Sequence, residues 1–575
     1  MTLNQILKSP LKTYILENKK TFFAGMFFLV LTNALDASYP LIIKNAIDSF
    51  SEIQNNSFQE TLKWGGLFFI VLSLLAVTRY YWRVYFGAYH TRAAEDLRQR
   101  LFNHLSQMDP LFYSKEPTGE VVSLIINDIQ AFRQAIGHAV LVITDGLLIA
   151  IFIIPTMWKL NADWMFKTLI FIPVLPFLIK YIMTQINLNF KLQQKRLAEL
   201  SNFTQETLSG IKIIKSFANE SRRLNLFRGY NDKLLEISQK IAFFDASFGP
   251  SMELAVTIGS AILIFIAAPD LMSGQVTVGT FIAYQRYITK MVWPMTALGI
   301  GFSQYQKGMT SFKRIKEVFA QSNPILSGPN ALNKIESLVI NNLSFSYTDK
   351  NPALQNVSLK MLDKSKIGLL GPVGSGKSTL THLMLRLYSL QEGQILINNQ
   401  DFSTYSIDDL RARIRLLTQE PLLFSMSVRE NLKLSSSLST DEDIWKSLEV
   451  AEIKNEILSL PQGLDTLVGE KGVNFSGGQK QRLCLARAIL SKPDFLILDD
   501  PLSAVDVHTE KLIIEHLSML DINLVIISHR LSVLKNCEKI YVIHNHKIQA
   551  EGTIEQLLQS SPLFKEIYKL QKESL

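Results

Sequence analysis

Long apolar runs recur between polar stretches along the first three hundred residues, and the pattern then changes to short alternating runs. A helix crossing a hydrocarbon core of roughly 30 Å needs about 20 mostly apolar residues. Six segments reach that length, at 21–47, 64–85, 136–158, 164–183, 250–271 and 276–300. The polar stretches between them differ in charge. Arg92, Arg98, Arg100, Lys115 and Arg133 crowd one connection and 191–240 is rich in Lys and Arg, whereas 48–59 holds acids without bases and 270–275 holds no base. Basic residues stay on the cytosolic side of a membrane, so both chain termini are expected there.

The two long basic connections carry apolar residues at three and four spacing, as at Leu224, Phe227 and Tyr230, and are expected to extend the membrane helices into the cytosol. Two turn sequences interrupt them, Pro117-Thr118-Gly119 and Ser209-Gly210 before Ile211, either of which suits docking onto a second domain or a plain surface turn. Of the polar side chains in or near the spans, Arg286 is the leading candidate to line an interior cavity, while Arg79, Arg83, Glu253 and Lys290 lie within reach of an interface.

Beyond Ser311–Phe319 a Ser, Asn, Pro and Gly-rich stretch reads as a linker, and β-rich runs then alternate with helical ones as in an α/β nucleotide fold. The expected layout is a six-span α-helical transmembrane domain with long cytosolic helical extensions (1–320), a linker (321–334) and an α/β P-loop nucleotide-binding domain (335–575). Composition agrees: 47% of residues are hydrophobic and 19% charged, against about 25% charged in soluble domains. The net charge of +8 comes from bases beside apolar spans rather than a basic stripe with aromatics, which speaks against nucleic-acid binding. Cys484 and Cys537 offer no disulfide framework or metal spacing. Lys8, Lys12, Lys19 and Lys20 lie where a cleavable leader would need an apolar core, so none is expected.

The chemistry concentrates in three segments. GPVGSGKST, 371–379, follows the apolar strand 367–370 and precedes a helical run. Gly371, Gly374 and Gly376 let a loop wrap phosphates with its amides, Lys377 reaches the β and γ phosphates, and Ser378 offers a hydroxyl to Mg²⁺, with Ser375 and Thr379 completing the loop. FLILDD, 495–500, is a buried strand ending in acids, of which Asp499 is assigned to Mg²⁺. FSGGQKQR, 475–482, opens a helix with Ser476, Gly477, Gly478 and Gln479, an arrangement that suits an anion or a simple helix cap.

Together these motifs resemble the ATP-binding cassette transporters, and six spans with cytosolic stalks before one cassette look like a type I exporter half-transporter. The resemblance covers essentially the whole chain. It implies ATP and Mg²⁺ as ligands, a signature segment 476–479 that contacts the γ-phosphate of ATP on the opposite cassette, and a second half-transporter as partner. It further implies that Tyr347 stacks on adenine. Gln419 would join Ser378 and Asp499 at Mg²⁺ and link nucleotide to membrane domain. Ser503, Ala504 and Asp506 would form the D-loop, and His529 would be the switch histidine.

One position departs from the pattern. The family's general base is a Glu directly after the metal Asp, and here that residue is Asp500. Asp accepts a proton but reaches one methylene less far, and a displacement of about 1 Å can cost around a hundredfold in rate. A slow site beside an intact signature resembles the degenerate-site subunit of bacterial heterodimeric multidrug-type exporters. The expected function is export of hydrophobic or amphipathic small molecules, lipids or peptides across the bacterial cytoplasmic membrane. A homodimeric lipid or peptide exporter and an ATP-gated regulatory membrane protein are the alternatives; six spans exclude a soluble ATPase.

Overall fold

The computed structural model describes residues 3–51, 57–170, 175–348, 351–502 and 504–573. They form two compact units, one of 1–106 and 118–321, the other of 107–117 and 322–575.

The first unit is helical throughout. Its main helices are Lys19–Ser51, Ser57–Ser106, Val140–Leu160, Leu175–Ser209, Glu220–Met272 and Val278–Phe319. The 53 residues of Glu220–Met272 rise about 80 Å at 1.5 Å per residue, far beyond a bilayer core, so the stretch 220–249 extends the apolar part as a stalk. Among the described residues four helical runs combine length with apolarity for a crossing: Lys19–Phe50, Gln59–Ser106, Thr118–Leu160 and Glu220–Met272. The expected span 164–183 begins in the helix Ala162–Thr168 and resumes at Leu175; residues 171–174 lie outside the described residues. The last expected span lies in Val278–Phe319, where Gln285, Arg286 and Lys290 dilute the apolar pattern. Gly210 is the break expected from sequence, separating Leu175–Ser209 from the short helix Ile211–Ser216.

Arg286, the expected cavity-lining candidate, is not among the residues lining the cavity within this unit. It lies exposed beside buried Tyr287 and Ile288, whereas Lys290, one turn further on, faces inward and pairs with Asp36. The 3.6-residue period decides this: 284, 287, 288 and 291 form the buried face, which places 286 off it.

The second unit is an α/β domain with two sheets. Strands β1 (Ser337–Thr348), β2 (Asn351–Leu362), β4 (Ile395–Ile397) and β5 (Gln400–Asp401) form an antiparallel sheet in the order β2-β1-β4-β5. Strands β3 (Lys366–Leu370), β6 (Ile414–Leu417), β7 (Phe495–Asp499), β8 (Asn523–Ile527), β9 (Lys539–His544) and β10 (Lys547–Gly552) form the second, in the order β10-β9-β3-β8-β7-β6. In this sheet β9, β3, β8, β7 and β6 run parallel to one another, and β10 is antiparallel to β9.

Why β7 and β8 read as unbroken apolar runs follows from their place. Every residue of both is buried, because a parallel sheet is covered on both faces. Successive side chains point to opposite faces, so Phe495 and Ile497 enter one core with Ile367 and Val525, while Leu496 and Leu498 enter the other with Leu483 and Ile513.

Candidate functional site

In an open parallel sheet ligands bind beyond the carboxyl ends of the strands, where connections diverge. Here β3, β8 and β7 are adjacent, and their carboxyl ends lead respectively into the phosphate loop, the segment Ser528-His529 and Asp500. Sequence segments some 130 residues apart thereby meet at one sheet edge.

The loop after β3 ends at Gly376, which precedes the helix Lys377–Met384 with φ +101°, a left-handed conformation that a side chain would strain. Gly374 is left-handed too, at φ +80°. The Lys377 ammonium donates to the carbonyls of Gly371 and Pro372, both at 2.8 Å, and approaches Ser375 Oγ at 3.4 Å. It is thus a cation resting on three neutral oxygens of its own loop. Burial lowers its pKa, and the nearby carboxylates of Asp499 and Asp500 oppose that. Ser375 and Thr379 are buried, and Ser378 is exposed at the helix start.

Tyr347, at the end of β1, donates to Thr379 Oγ1 at 3.1 Å and stands edge-on to Phe345 and Tyr388. Its ring is 37% exposed, so one side stays open beside the phosphate-loop helix.

Asp499 is buried as the last residue of β7. Asp500 follows with φ +46°, and its amide donates to Ile527 O at 2.9 Å. That turn aims the Asp500 carboxylate at His529, whose Nδ1 lies 3.5 Å away. The Asp500 side chain is 14% exposed and the His529 ring 67% exposed, so the pair has a sheltered acid and an open imidazole. Gln419 is exposed just beyond β6, the strand beside β7.

The signature forms a second cluster. Ser476 caps the helix Gly477–Leu490: its hydroxyl accepts from the Gln479 backbone amide, and the Gln479 side-chain Oε1 accepts from the Ser476 backbone amide. Ala504 donates its amide to Gln481 at 3.1 Å, and a methyl group on Gly478 would come within 2.7 Å of Ala504 O. The signature helix and the D-loop are therefore packed as one piece. Asp506 caps the next helix, Val507–Met519, accepting from Thr509 N at 3.0 Å, which lowers its pKa. Ser503 lies outside the described residues.

Three supporting groups escaped the sequence reading. Gln481 carries the D-loop amide; Glu456 accepts from Gln479 at 2.6 Å and pairs with Arg482 at 2.7 Å; buried Glu510 pairs with Arg530, next to His529, at 2.6 Å. Only Gln481, inside the signature run, had a positional cue; Glu456 and Glu510 reach their partners across 20 or more residues.

A strand, glycine loop and helix presenting Lys377 beside paired strand-end carboxylates, in one chain with a helical membrane domain, define a membrane-bound P-loop ATPase. Comparison with known proteins narrows the class. The ABC transporter transmembrane region matches residues 22–295, and a second family, ABC transporter, matches residues 354–503. The multidrug resistance-like ATP-binding protein MdlA of Buchnera aphidicola (subsp. Schizaphis graminum) is 31% identical over 574 residues, covering 98% of each chain. MdlA of Escherichia coli is 31% identical over 575 residues, covering 98% of this chain and 97% of the relative. The ATP-dependent lipid A-core flippase of Desulfotalea psychrophila is 28% identical, covering 99% of this chain and all of the relative. A solved bacterial Atm1-family ABC exporter with ATP bound superposes with a TM-score of 0.78 at 22% identity, covering 96% of this chain and 99% of that one. The chain belongs to the ABC transporter family. It is an ATP hydrolase coupled to transport across a membrane, with a helical transmembrane domain followed by the cassette.

Proposed function

We propose that this chain is one half of a dimeric exporter that drives hydrophobic or amphipathic cargo out of a bacterial cell, and that its own ATP site is slow. The carrying observation is the Asp500–His529 pair at the ends of β7 and β8: a shortened carboxylate where the reaction needs a base, held at 3.5 Å from an exposed imidazole. Lys377, now resting on neutral carbonyls, suits an incoming phosphate, since it would exchange weak partners for charged ones.

Ser378, Asp499 and Gln419 are the residues that would hold Mg²⁺. Bound there with ATP, the ion supplies charge neutralisation at the transferring phosphoryl group. Asp500 takes the proton of the attacking water and His529 orients that carboxylate. The open Tyr347 ring offers a stacking face to adenine. The signature, with Ser476 as cap and its two glycines bare, faces a nucleotide held by the partner, and its packing on Ala504 couples the D-loop to that contact.

A heterodimer in which the partner supplies the faster base fits the Asp500 substitution. Self-pairing is the second reading, supported by one fact: this chain carries both an intact phosphate loop and an intact signature, so two copies would complete two sites. The charge pattern supports cytosolic termini and cassette in the cytoplasmic membrane.

The test is ATP-dependent uptake of fluorescent amphiphiles into inverted membrane vesicles containing this chain, alone and with a co-expressed second half-transporter. Uptake abolished by Lys377→Ala is the expected result. ATP binding without vectorial movement of any cargo would instead make this an ATP-gated regulator.

A further inference from the structure

The first unit holds a half-open cavity of about 620 Å³ between four of its helices. Charges inside a bilayer are costly and mark pathways or binding sites, so their pairing is informative. Asp36 accepts from both Arg79, at 2.9 Å, and Lys290. On a neighbouring helix Asp145 accepts from Asn33, one turn before Asp36, at 2.9 Å through one oxygen and from the Trp293 indole at 2.7 Å through the other. Both acids are thus occupied by donors, and the four charges Asp36, Asp145, Arg79 and Lys290 sum to zero.

Arg83, one turn below Arg79 on the same helix, also lines the cavity. Among the described residues it has no carboxylate partner; its guanidinium lies over the Trp82 ring, 5.3 Å from the centroid. The cavity therefore holds one unbalanced positive charge, braced on an aromatic face. Phe86, Leu141, Val142 and Ile149 supply apolar wall around it.

We propose that this cavity binds amphiphiles with an anionic headgroup, the head at Arg83 and the apolar body along the Phe86 and Val142 wall. This deepens the exporter reading by naming its cargo class. A planar guanidinium pairs with carboxylate, sulfonate or phosphate oxygens through two N–H groups, and in a low-dielectric wall the unpaired cation gains most from an anion. The site is distinct from Arg79 and Lys290, which share Asp36 and whose two charges Asp36 and Asp145 together balance.

The experiment uses the purified full-length chain in neutral detergent, without nucleotide, so that it does not depend on transport. The probe is 11-(dansylamino)undecanoic acid, compared with its neutral amide and with a dansyl trimethylammonium analogue of equal chain length, each followed by fluorescence titration. The acid is expected to bind about tenfold tighter than the amide, the order of a charge-assisted pair. Arg83→Gln removes that preference, Arg83→Lys keeps part of it, and Arg83→Glu shifts preference to the cationic analogue. Displacement by phosphatidylglycerol alone marks a lipid as the source of the anion, and displacement also by dodecanoate marks single-chain amphiphiles; either supports the site. Equal affinity for acid and amide in the unaltered chain, or a preference that survives Arg83→Gln, overturns it. Anion binding retained in a chain that moves nothing into vesicles would leave this site standing while the exporter reading fell.

Discussion

Replacing Asp500 by Glu tests how the ATP site is set. Asp500 sits at φ +46°, shielded to 14% exposure and 3.5 Å from His529 Nδ1. Glu adds one methylene, extending the carboxylate's reach by about 1.5 Å, and displacements near 1 Å are worth around a hundredfold. A correctly placed base contributes about 10²–10⁴-fold, so hydrolysis at the site built on Lys377 should rise by roughly ten- to a hundredfold, or about 1.4 to 2.7 kcal/mol in barrier. The left-handed backbone sets a counter-effect: Asp tolerates it better than Glu, so the variant should lose up to about 1 kcal/mol of stability without losing rate. The assay is single-turnover hydrolysis of radiolabelled ATP with the purified transporter, any partner's own base being replaced, which isolates chemistry from product release. A rate unchanged by Asp500→Glu would refute the reasoning, because reach of the carboxylate would then not limit the step.

Lys377→Ala removes the only loop cation and should weaken ATP binding by at least about tenfold in a fluorescence titration. Gly478→Ala places a methyl group 2.7 Å from Ala504 O; it should slow turnover at the composite site while nucleotide affinity of the Lys377 loop stays within about twofold, read by steady-state ATPase against direct binding. Asp36→Asn leaves Arg79 and Lys290 without their shared carboxylate, and thermal unfolding in detergent should come a few degrees earlier, consistent with a cost of about 1 kcal/mol for pairs that are only partly buried. Burial pushes the Cys537 thiol up to about 12 and raises that of Cys484. A raised thiol pKa leaves little thiolate, about one in 10⁴ at pH 8 for Cys537, so N-ethylmaleimide should label neither cysteine in the folded protein and both after denaturation, as mass spectrometry would report.

Much of this protein was legible in its sequence because the strongest signals are local. Uninterrupted apolar length marks a membrane helix, and the phosphate loop, the signature and the strand FLILDD each carry their chemistry within nine residues or fewer, so Lys377, Ser476 and Asp499 could be named before any fold was known. The replacement at 500 was equally visible. What only the tertiary structure decided is which distant groups meet. The order β3-β8-β7 brings Asp500 to His529, the turn at φ +46° aims the carboxylate, and the bare Gly478 lets the D-loop of Ala504 lie on the signature helix. The same holds in the membrane, where the helix period places Lys290 rather than Arg286 toward Asp36, which Arg79 shares, and where Arg83 has no carboxylate partner among the described residues. A one-dimensional pattern records how polar each position is, whereas pairing depends on helix phase and strand order, which the chain acquires only when its long-range contacts form.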